Sequence, residues 1–549
     1  MNDRNHAAAT RASRRGDALY EKPLPKSVPT RRLRGAGRPG RCCAALLAAW
    51  LALPAAAADP LEAANEARSW RQANELDILQ RFDALLRIPN VASDRANIRR
   101  NARHIATLLG EVGLDTELLE LPDRPEANPA VFGERLVPGA ERTVLIYVHY
   151  DGQPADRAAW ASDPWTPVLR TDLVENGGVE VPMALPLDPQ WRLFARSAGD
   201  DKAPIIALHA ALSALDQAGI TPTVNLKVFL DGEEEAGSPN LRAMLERHED
   251  KLEADLWLFC DGPMHQSRRW QLVYGVRGVV GFDLTVFGAS RPLHSGHYGN
   301  WAPNPIMELV TLIGTMRAAD GRILIDGVYD DVRPLTAAEQ AAIDASPVMD
   351  EQLVRELGIG QPESDDRVEI AISRPALNLR GIASGGVGPD ARNAIQTSAT
   401  AAMGFRLVPD QTPERLRAAL VRHLEEQGYT LLPDGQRAPT AEDRKRHPRL
   451  IRLDWEEDSG YPAYRAAMDA PLARELSAVL NQLSDDTLIQ TPTMGGSLPI
   501  YVIEDVLEAP VLILPIANHD NNQHGSDENL RLQNLWDGIE IYAAVLTGL

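Results

Sequence analysis

The sequence predicts an α/β fold: a catalytic domain with a mixed central sheet flanked by helices, interrupted by a smaller inserted α+β domain. Three observations carry this reading. Apolar runs of strand length alternate with segments of helical periodicity before residue 278 and after residue 457. Clusters of acidic and histidine residues stand at or just beyond the ends of those runs, where open α/β sheets place their sites. Between about Gly278 and Glu457 the order changes to β-α-β-β-α-β, the ferredoxin-like pattern of a small α+β domain.

Taken in order, the segment from Glu62 to about Gly113 is helical. Ile78, Leu79, Phe82, Leu85 and Leu86 recur at helical spacing, as do Ile105, Leu108 and Leu109. Thr143–Tyr150 (TVLIYVHY) is a strand ending at His149-Tyr150-Asp151. A helix over Ala203–Leu215 follows Asp200-Asp201-Lys202. The strand Val224–Leu230 (VNLKVFL) ends at Glu233-Glu234-Glu235, and Leu256–Cys260 (LWLFC) ends at Asp261. Val511–Pro515 leads towards Asn522-Gln523-His524. In the inserted region, Gly281–Phe287 alternates like an antiparallel strand, and Ala399–Leu407 and Leu450–Trp455 are further strands. Pro305–Met316 is helical and Pro413–Glu426 is an amphipathic helix. The acidic, weakly periodic stretch 321–375 reads as an insertion within this part. The expected organisation is a leader over 1–58, a catalytic domain over 59–277 and 458–549, and an inserted domain over 278–457.

At 549 residues and 44% apolar content the chain is long enough for two domains with sizeable cores. Its formal charge is −21, and residues 1–58 hold 11 Lys/Arg against 3 Asp/Glu, so the rest carries −29. Such a surface repels nucleic acid and anionic lipid. Arg31, Arg32, Arg34, Arg38 and Arg41 precede an apolar run from Cys42 to about Leu53, and Ala56-Ala57-Ala58 precede Asp59. This reads as a cleavable export signal, which predicts a periplasmic or secreted protein. Removal of the leader would leave Cys260 alone, unable to form an internal disulfide. No later segment is long and apolar enough to span a membrane.

The clusters supply hard oxygen and imidazole donors, which suit a pair of zinc-like ions. Two divalent ions acidify a shared water and polarise a scissile carbonyl. Glu234, beside Glu235, is a spare carboxylate able to take that water's proton. Each residue also has a plainer reading. His149 could be a structural strand-end histidine. Asp200-Asp201 could cap the following helix, and Asp261 before Gly262-Pro263 could mark a turn. His519 competes with His524 in the same loop. Glu233 reads as surface, and Cys260 as a small buried apolar residue.

In combination these motifs resemble the co-catalytic zinc metallopeptidases that include carnosinase-type dipeptidases, glutamate carboxypeptidase and aminoacylase. The likeness runs from about Leu61 to Leu549. The family's H-x-D matches His149-Tyr150-Asp151, its D-[DNM]-K matches Asp200-Asp201-Lys202, and its E-E-x-G-S matches Glu234–Ser238. Its strand-end Asp matches Asp261. Its late His matches His524 rather than His519, because Glu528 follows at the family spacing. The resemblance implies one ion on His149 and Asp261, a second on Glu235 and His524, and Asp200 bridging both. Zinc is the implied metal, with manganese or cobalt compatible with the donors. Asp151 would orient His149 without touching metal, and the Asp200–Asp201 peptide would be cis. Leu293-His294-Ser295-Gly296 matches the family's lid histidine, which reaches the partner subunit's site and stabilises the oxyanion. Phe405–Pro409 matches its arginine strand, so Arg406 would pair with a substrate carboxylate. Gly495-Gly496-Ser497 matches a loop lining the substrate pocket. Read on their own, His294 and Arg406 also have plainer readings, as a surface histidine and a strand ion-pair partner, though function is the favoured one. The inserted domain would then be a lid and the contact of a homodimer.

The pattern also departs from the family in places. Ala195–Gly199 replaces its Gly-Arg-Gly, Ala203 replaces a Gly after Lys202, and Gly299-Asn300 replaces a glycine pair. None removes a ligand, so they bear on specificity. The implied activity is hydrolysis of the amide bond of dipeptides or short peptides next to a free carboxylate. An N-acyl amino acid deacylase would use the same machinery. A non-catalytic metal- or peptide-binding protein is the rival of another class, and Glu234 argues against it, since binding alone has no need of a base.

Overall fold

The structure is a computed structural model that describes residues 59–456, 460–484 and 486–549. The arginine-flanked apolar run, with Cys42 and Cys43, lies outside the described residues.

An eight-stranded mixed sheet organises the chain on either side of residues 278–455. Its strand order is Asp115–Leu119, Ala130–Arg135, Asn225–Asp231, Thr143–His149, Leu256–Phe259, Val511–Ile513, Gln271–Val273 and Ile489–Thr491. The central strands are parallel: Thr143–His149 pairs in parallel with Asn225–Asp231 on one side and Leu256–Phe259 on the other. Val511–Ile513 continues the parallel run beyond Leu256–Phe259. The outer pairs Asp115–Leu119 with Ala130–Arg135, and Ala130–Arg135 with Asn225–Asp231, are antiparallel.

Burial on both faces explains why these strands are apolar throughout rather than alternating. Val144, Ile146 and Val148 enter one core with the Ala203–Ala218, Pro60–Leu86 and Leu532–Gly548 helices, while Leu145 and Tyr147 enter the opposite core. The same division recurs next door, where Leu256 and Leu258 lie on one face and Trp257 and Phe259 on the other. Tyr147 stacks on Phe259 with centroids 3.9 Å apart. The helical segment resolves into Pro60–Leu86, capped by Asp59 onto Leu61 N, and Arg95–Glu111.

A second, five-stranded sheet comes from residues between Gly278 and Trp455. Its order is Ala376–Ala383, Ser398–Leu407, Gly278–Phe287, Leu450–Trp455 and Thr430–Leu431. Gly278–Phe287 pairs antiparallel with Ser398–Leu407 along its whole length. Val280, Phe282, Leu284 and Val286 share a separate core with Leu309, Leu312 and Met316 of one helix and Leu416, Leu420 and Leu424 of another. The edge strand Ala376–Ala383 is a further element beyond those read from sequence. Its alternation is broken by a register shift between Leu379 and Gly381, and most of it is exposed. Residues 321–375 also hold three short helices, Ala337–Ala345, Asp350–Glu356 and Val368–Ile372. Their periodicity is weak because local polar contacts define them. Thr336 and Glu339 form a capping box, and Glu339 also pairs with Arg465 at 2.8 Å, both nearly buried. No helix among the described residues is long and apolar enough to cross a membrane.

Candidate metal centre and substrate cleft

Parallel pairing delivers the acidic groups to one edge of the sheet. His149 is the last residue of its strand and stands opposite Asp231, the last residue of the neighbouring strand. Glu234 and Glu235 follow Asp231 in a short 3₁₀ turn closed by Gly237 at φ 87°. Asp261 comes two residues after Phe259, which pairs with Tyr147. Asp200 arrives on the loop before the Ala203–Ala218 helix, and the Asp200–Asp201 peptide is cis. His524 is brought in by the loop after Val511–Ile513 and sits at φ 63°.

These residues form two overlapping groups of donors. Ligand atoms of His149, Asp200 and Asp261 all lie within 4.8 Å of one another, and so do those of Asp200, Glu235 and His524. Asp200 belongs to both. Its Oδ1 is 2.7 Å from His149 Nε2 and its Oδ2 is 3.2 Å from His524 Nε2. His149 Nε2 is also 4.0 Å from Asp261 Oδ2 and 4.0 Å from Glu234 Oε2, and His524 Nε2 is 3.3 Å from Glu235 Oε2. His519 stays outside, 3.8 Å from Glu356.

Asp151 lies behind the cluster and ties two strand ends together. His149 Nδ1 is 3.2 Å from the Asp151 carbonyl and 3.5 Å from its carboxylate. That carboxylate accepts the backbone N–H groups of Glu234 and Glu235, each at 3.0 Å. It therefore sets the position of the Glu234–Glu235 turn as well as facing the His149 ring.

The cluster holds more negative charge than its own side chains can balance. Burial pushes Glu234 well above the usual carboxylate range, and neighbouring Asp261 and Asp200 add to this against His149. Burial, reinforced by Asp200, raises Glu235 to about 7, and burial also raises Asp261 to about 6. Burial opposes ionisation of Asp200 too, but hydrogen bonds with His149 and His524 outweigh it and hold its carboxyl low. For His149, burial is outweighed by Asp151 and Asp200, and the ring is raised well above its ordinary value. Five carboxylates around two imidazoles is a donor set matched to divalent cations, with oxygen and nitrogen ligands and no thiolate.

Several partners of the cluster carried no motif of their own. Gln153 donates to Glu235 Oε2 at 2.7 Å, and Gln523 donates to Asp200 Oδ2 at 3.2 Å. Glu528 is fully buried and accepts four hydrogen bonds, from Gly199 N, Asp200 N, Ser197 N and Arg196 Nη1. Its four-residue spacing from His524 was the available signal. Glu233, read as surface, is 7% exposed. Its carboxylate accepts from Asn128 N and Asn240 N, and it is held in because the turn folds back over the strand end. Cys260 is buried, and burial pushes its thiol up.

The second sheet brings Arg406, and Arg277 just before its strand Gly278–Phe287, to the loop Gly495–Ser497. Arg406 Nη1 donates to Ser497 Oγ at 2.5 Å. Arg277 Nε donates to the Gly495 carbonyl at 2.9 Å, and Arg277 N to the Gly496 carbonyl at 3.0 Å. Met494, at the start of this loop, packs near the neighbour of Asp261: a Cβ built on Gly262 would meet Met494 Cε at 3.2 Å. Tyr461 stacks on Tyr501 with centroids 5.5 Å apart. Burial raises its hydroxyl, the charge of Glu234 adds to the rise and Arg406 opposes it. His294 is elsewhere. It is exposed, its Nδ1 accepts from Gly296 N, and its ring lies 4.4 Å from that of His297. None of the clustered donors is its partner.

An α/β sheet carrying two carboxylate–histidine groups that share one aspartate defines a metal-dependent hydrolase. The chain belongs to the peptidase family M20/M25/M40, whose model matches residues 145–548. It is a metallopeptidase, and enzymes of this family depend on metal. It is 27% identical over 483 residues to the Cys-Gly metallodipeptidase dug1 of Schizosaccharomyces pombe, covering 85% of this chain and 94% of that one. It is 26% identical over 468 residues to the human Beta-Ala-His dipeptidase, covering 84% of each. The fold is similar to that of Sso-CP2, an M20 family metallo-carboxypeptidase from Sulfolobus solfataricus, with a TM-score of 0.69 at 24% identity, over 86% of this chain and 98% of that one.

The relatives correct the location read from the N-terminal run. The relatives that align over most of the chain include eukaryotic proteins, from fission yeast and human among others, and they give no support to an export signal in this chain. An Ala/Leu run beside arginines is a compositional signal of low specificity, and it lies outside the described residues. A periplasmic or secreted location is not retained.

Proposed function

We propose that the protein is a two-metal dipeptidase that cleaves the amide bond next to a free carboxylate, with Glu234 as its general base. The observation that carries this is the shared Asp200 between two donor groups, with Glu234 Oε2 4.0 Å from His149 Nε2. His149 and Asp261 would hold one ion, Glu235 and His524 the other, and Asp200 both. The ions are zinc, or manganese or cobalt, which accept the same donors. When bound, they supply an acidified water and polarise the scissile carbonyl. Glu234 takes the proton of the attacking water as its oxygen bonds to the carbonyl carbon, then delivers it to the amine nitrogen as the C–N bond breaks. Asp151 keeps Glu234 in place through the two N–H bonds at the turn.

Arg406, with Gly495, Gly496 and Ser497, would receive the C-terminal carboxylate; Arg406 has no carboxylate partner among the described residues. The relatives' names support a dipeptide as the substrate. The sheet of residues 278–457 would be a lid and the contact of a homodimer, in which His294 of each subunit completes the other's oxyanion site. Exposed Met307, Val310, Leu379 and Ile382 on that sheet and its helix favour a covered face.

The test is hydrolysis of a panel of dipeptides and N-acetyl amino acids by the purified protein, with and without chelator and added zinc or manganese. Chelator-sensitive cleavage of unblocked dipeptides is the expected result. Cleavage confined to the acylated compounds would make the protein a deacylase. Silence on both, with metal bound, would refute the proposed activity.

A further inference from the structure

The loop Gly495–Ser497 holds a second guanidinium that the proposed reaction does not use. Gly278 pairs with Leu407 and Val279 with Arg406, so Arg277, one residue before that strand, stands diagonal to Arg406 on the same face. Both side chains turn onto one loop, Arg277 to Gly495 and Arg406 to Ser497. Among the described residues neither has a carboxylate partner. Other arginines near the sheet edge are matched: Arg192 with Asp520, Arg196 with Glu528, Arg465 with Glu339.

Two adjacent cations in a partly buried cleft repel each other, and desolvation adds to the cost. Burial, reinforced by the charge of Arg406, lowers the Arg277 guanidinium to about 10. One α-carboxylate can occupy the Arg406 fork together with Ser497. Arg277 spends only Nε on Gly495, so among the described residues its two Nη groups have no protein acceptor and remain available to a second oxyanion.

We propose that Arg277 is a specificity-determining residue that binds a second carboxylate, so the site prefers substrates whose C-terminal residue is acidic, such as Xaa-Glu and Xaa-Asp. This rests on the reading of the cleft as the carboxylate end of the substrate site. Ala-Glu and Ala-Gln have the same shape and differ by one charge. With the manganese- or zinc-loaded full chain, kcat/KM for Ala-Glu should exceed that for Ala-Gln by about tenfold or more, mainly through KM, since a charge-assisted hydrogen bond is lost in the second. Arg277→Met should bring the ratio near one, and Arg277→Lys should keep part of it. A ratio near one in the unaltered protein overturns the proposal, as does an equal loss on both substrates in Arg277→Met with the ratio kept. Calorimetric binding of L-glutamate against L-glutamine needs no turnover. If no dipeptide is cleaved, the dipeptidase reading fails, and this measurement still decides the arginine: tighter glutamate binding that Arg277→Met removes supports it, and equal binding overturns it.

Discussion

Glu528 offers the sharpest test of how the centre is held. It is fully buried, and its two oxygens accept four hydrogen bonds between 2.7 and 3.0 Å. Three come from backbone N–H groups of Ser197, Gly199 and Asp200, so this carboxylate fixes the loop that presents the shared aspartate. The fourth comes from Arg196, which is 2% exposed and lies over Trp160. Glu528→Gln keeps the volume, removes the charge and turns an amide NH₂ towards two of the four donors. Each orphaned buried donor costs about 1–3 kcal/mol, and breaking a buried ion pair costs about 3–5 kcal/mol. These overlap, so a total of about 3–5 kcal/mol is expected. A unit of this size unfolds with an entropy of roughly 1 kcal/mol/K, which turns the loss into a Tm lower by about 3–5 °C. The loop should also release Asp200, weakening zinc or manganese affinity by about 10–100-fold. Excess metal should then restore part of the activity. The assays are calorimetric unfolding and metal titration of Glu528→Gln beside the unaltered protein. Unchanged Tm together with unchanged metal affinity would refute the reasoning, because it would mean that the four bonds hold nothing in place.

Three further outcomes are expected. Glu234→Gln should retain its metal while kcat falls by about 10²–10⁴-fold, the range of general-base catalysis; loss of metal instead would make Glu234 a ligand. His294→Ala should lower kcat, and if His294 acts across subunits, mixing His294→Ala with Glu234→Gln should give mixed dimers more active than either variant alone; no such gain, or a protein that sediments as a monomer, removes that role. Asp537, on the C-terminal helix, is raised by burial to about 6, against about 3.9 unfolded. An acid raised in the folded state contributes stability below its unfolded pKa and loses it as pH rises through its folded value. Allowing for partial exposure the loss is about 1–2 kcal/mol. Asp537→Asn should therefore raise Tm slightly at pH 7.5 and leave it unchanged at pH 4; an equal change at both would show that charge is not the cause.

The sequence made the parallel core legible because those strands are buried on both faces. Thr143–His149 and Leu256–Phe259 send successive residues into two different cores. Such a strand can be read without knowing its neighbours, and so can the acids just past its end. Elements on the rim were harder. The edge strand Ala376–Ala383 has one paired side, a register shift and exposed Leu379 and Ile382, so its residues obey no burial rhythm. The short helices after Thr336 depend on a capping box and on the Glu339–Arg465 pair, a contact across 126 positions that no local window contains.

The same distinction runs through the site. A group that acts at a strand end is legible from its position; a group that holds another in place is not. Glu233 looks like one more exposed acid in a triplet until the turn folds it onto Asn128 and Asn240. Arg277 precedes a strand and matches no motif that the reading used. Only the pairing of Val279 with Arg406 sets its guanidinium beside another. The proposed reaction needs a few donors at fixed places on a rigid sheet edge, and the positions of those residues were visible. The selectivity proposed for Arg277 needs the relation between two chain segments more than a hundred residues apart, and that relation exists only once the second sheet is folded.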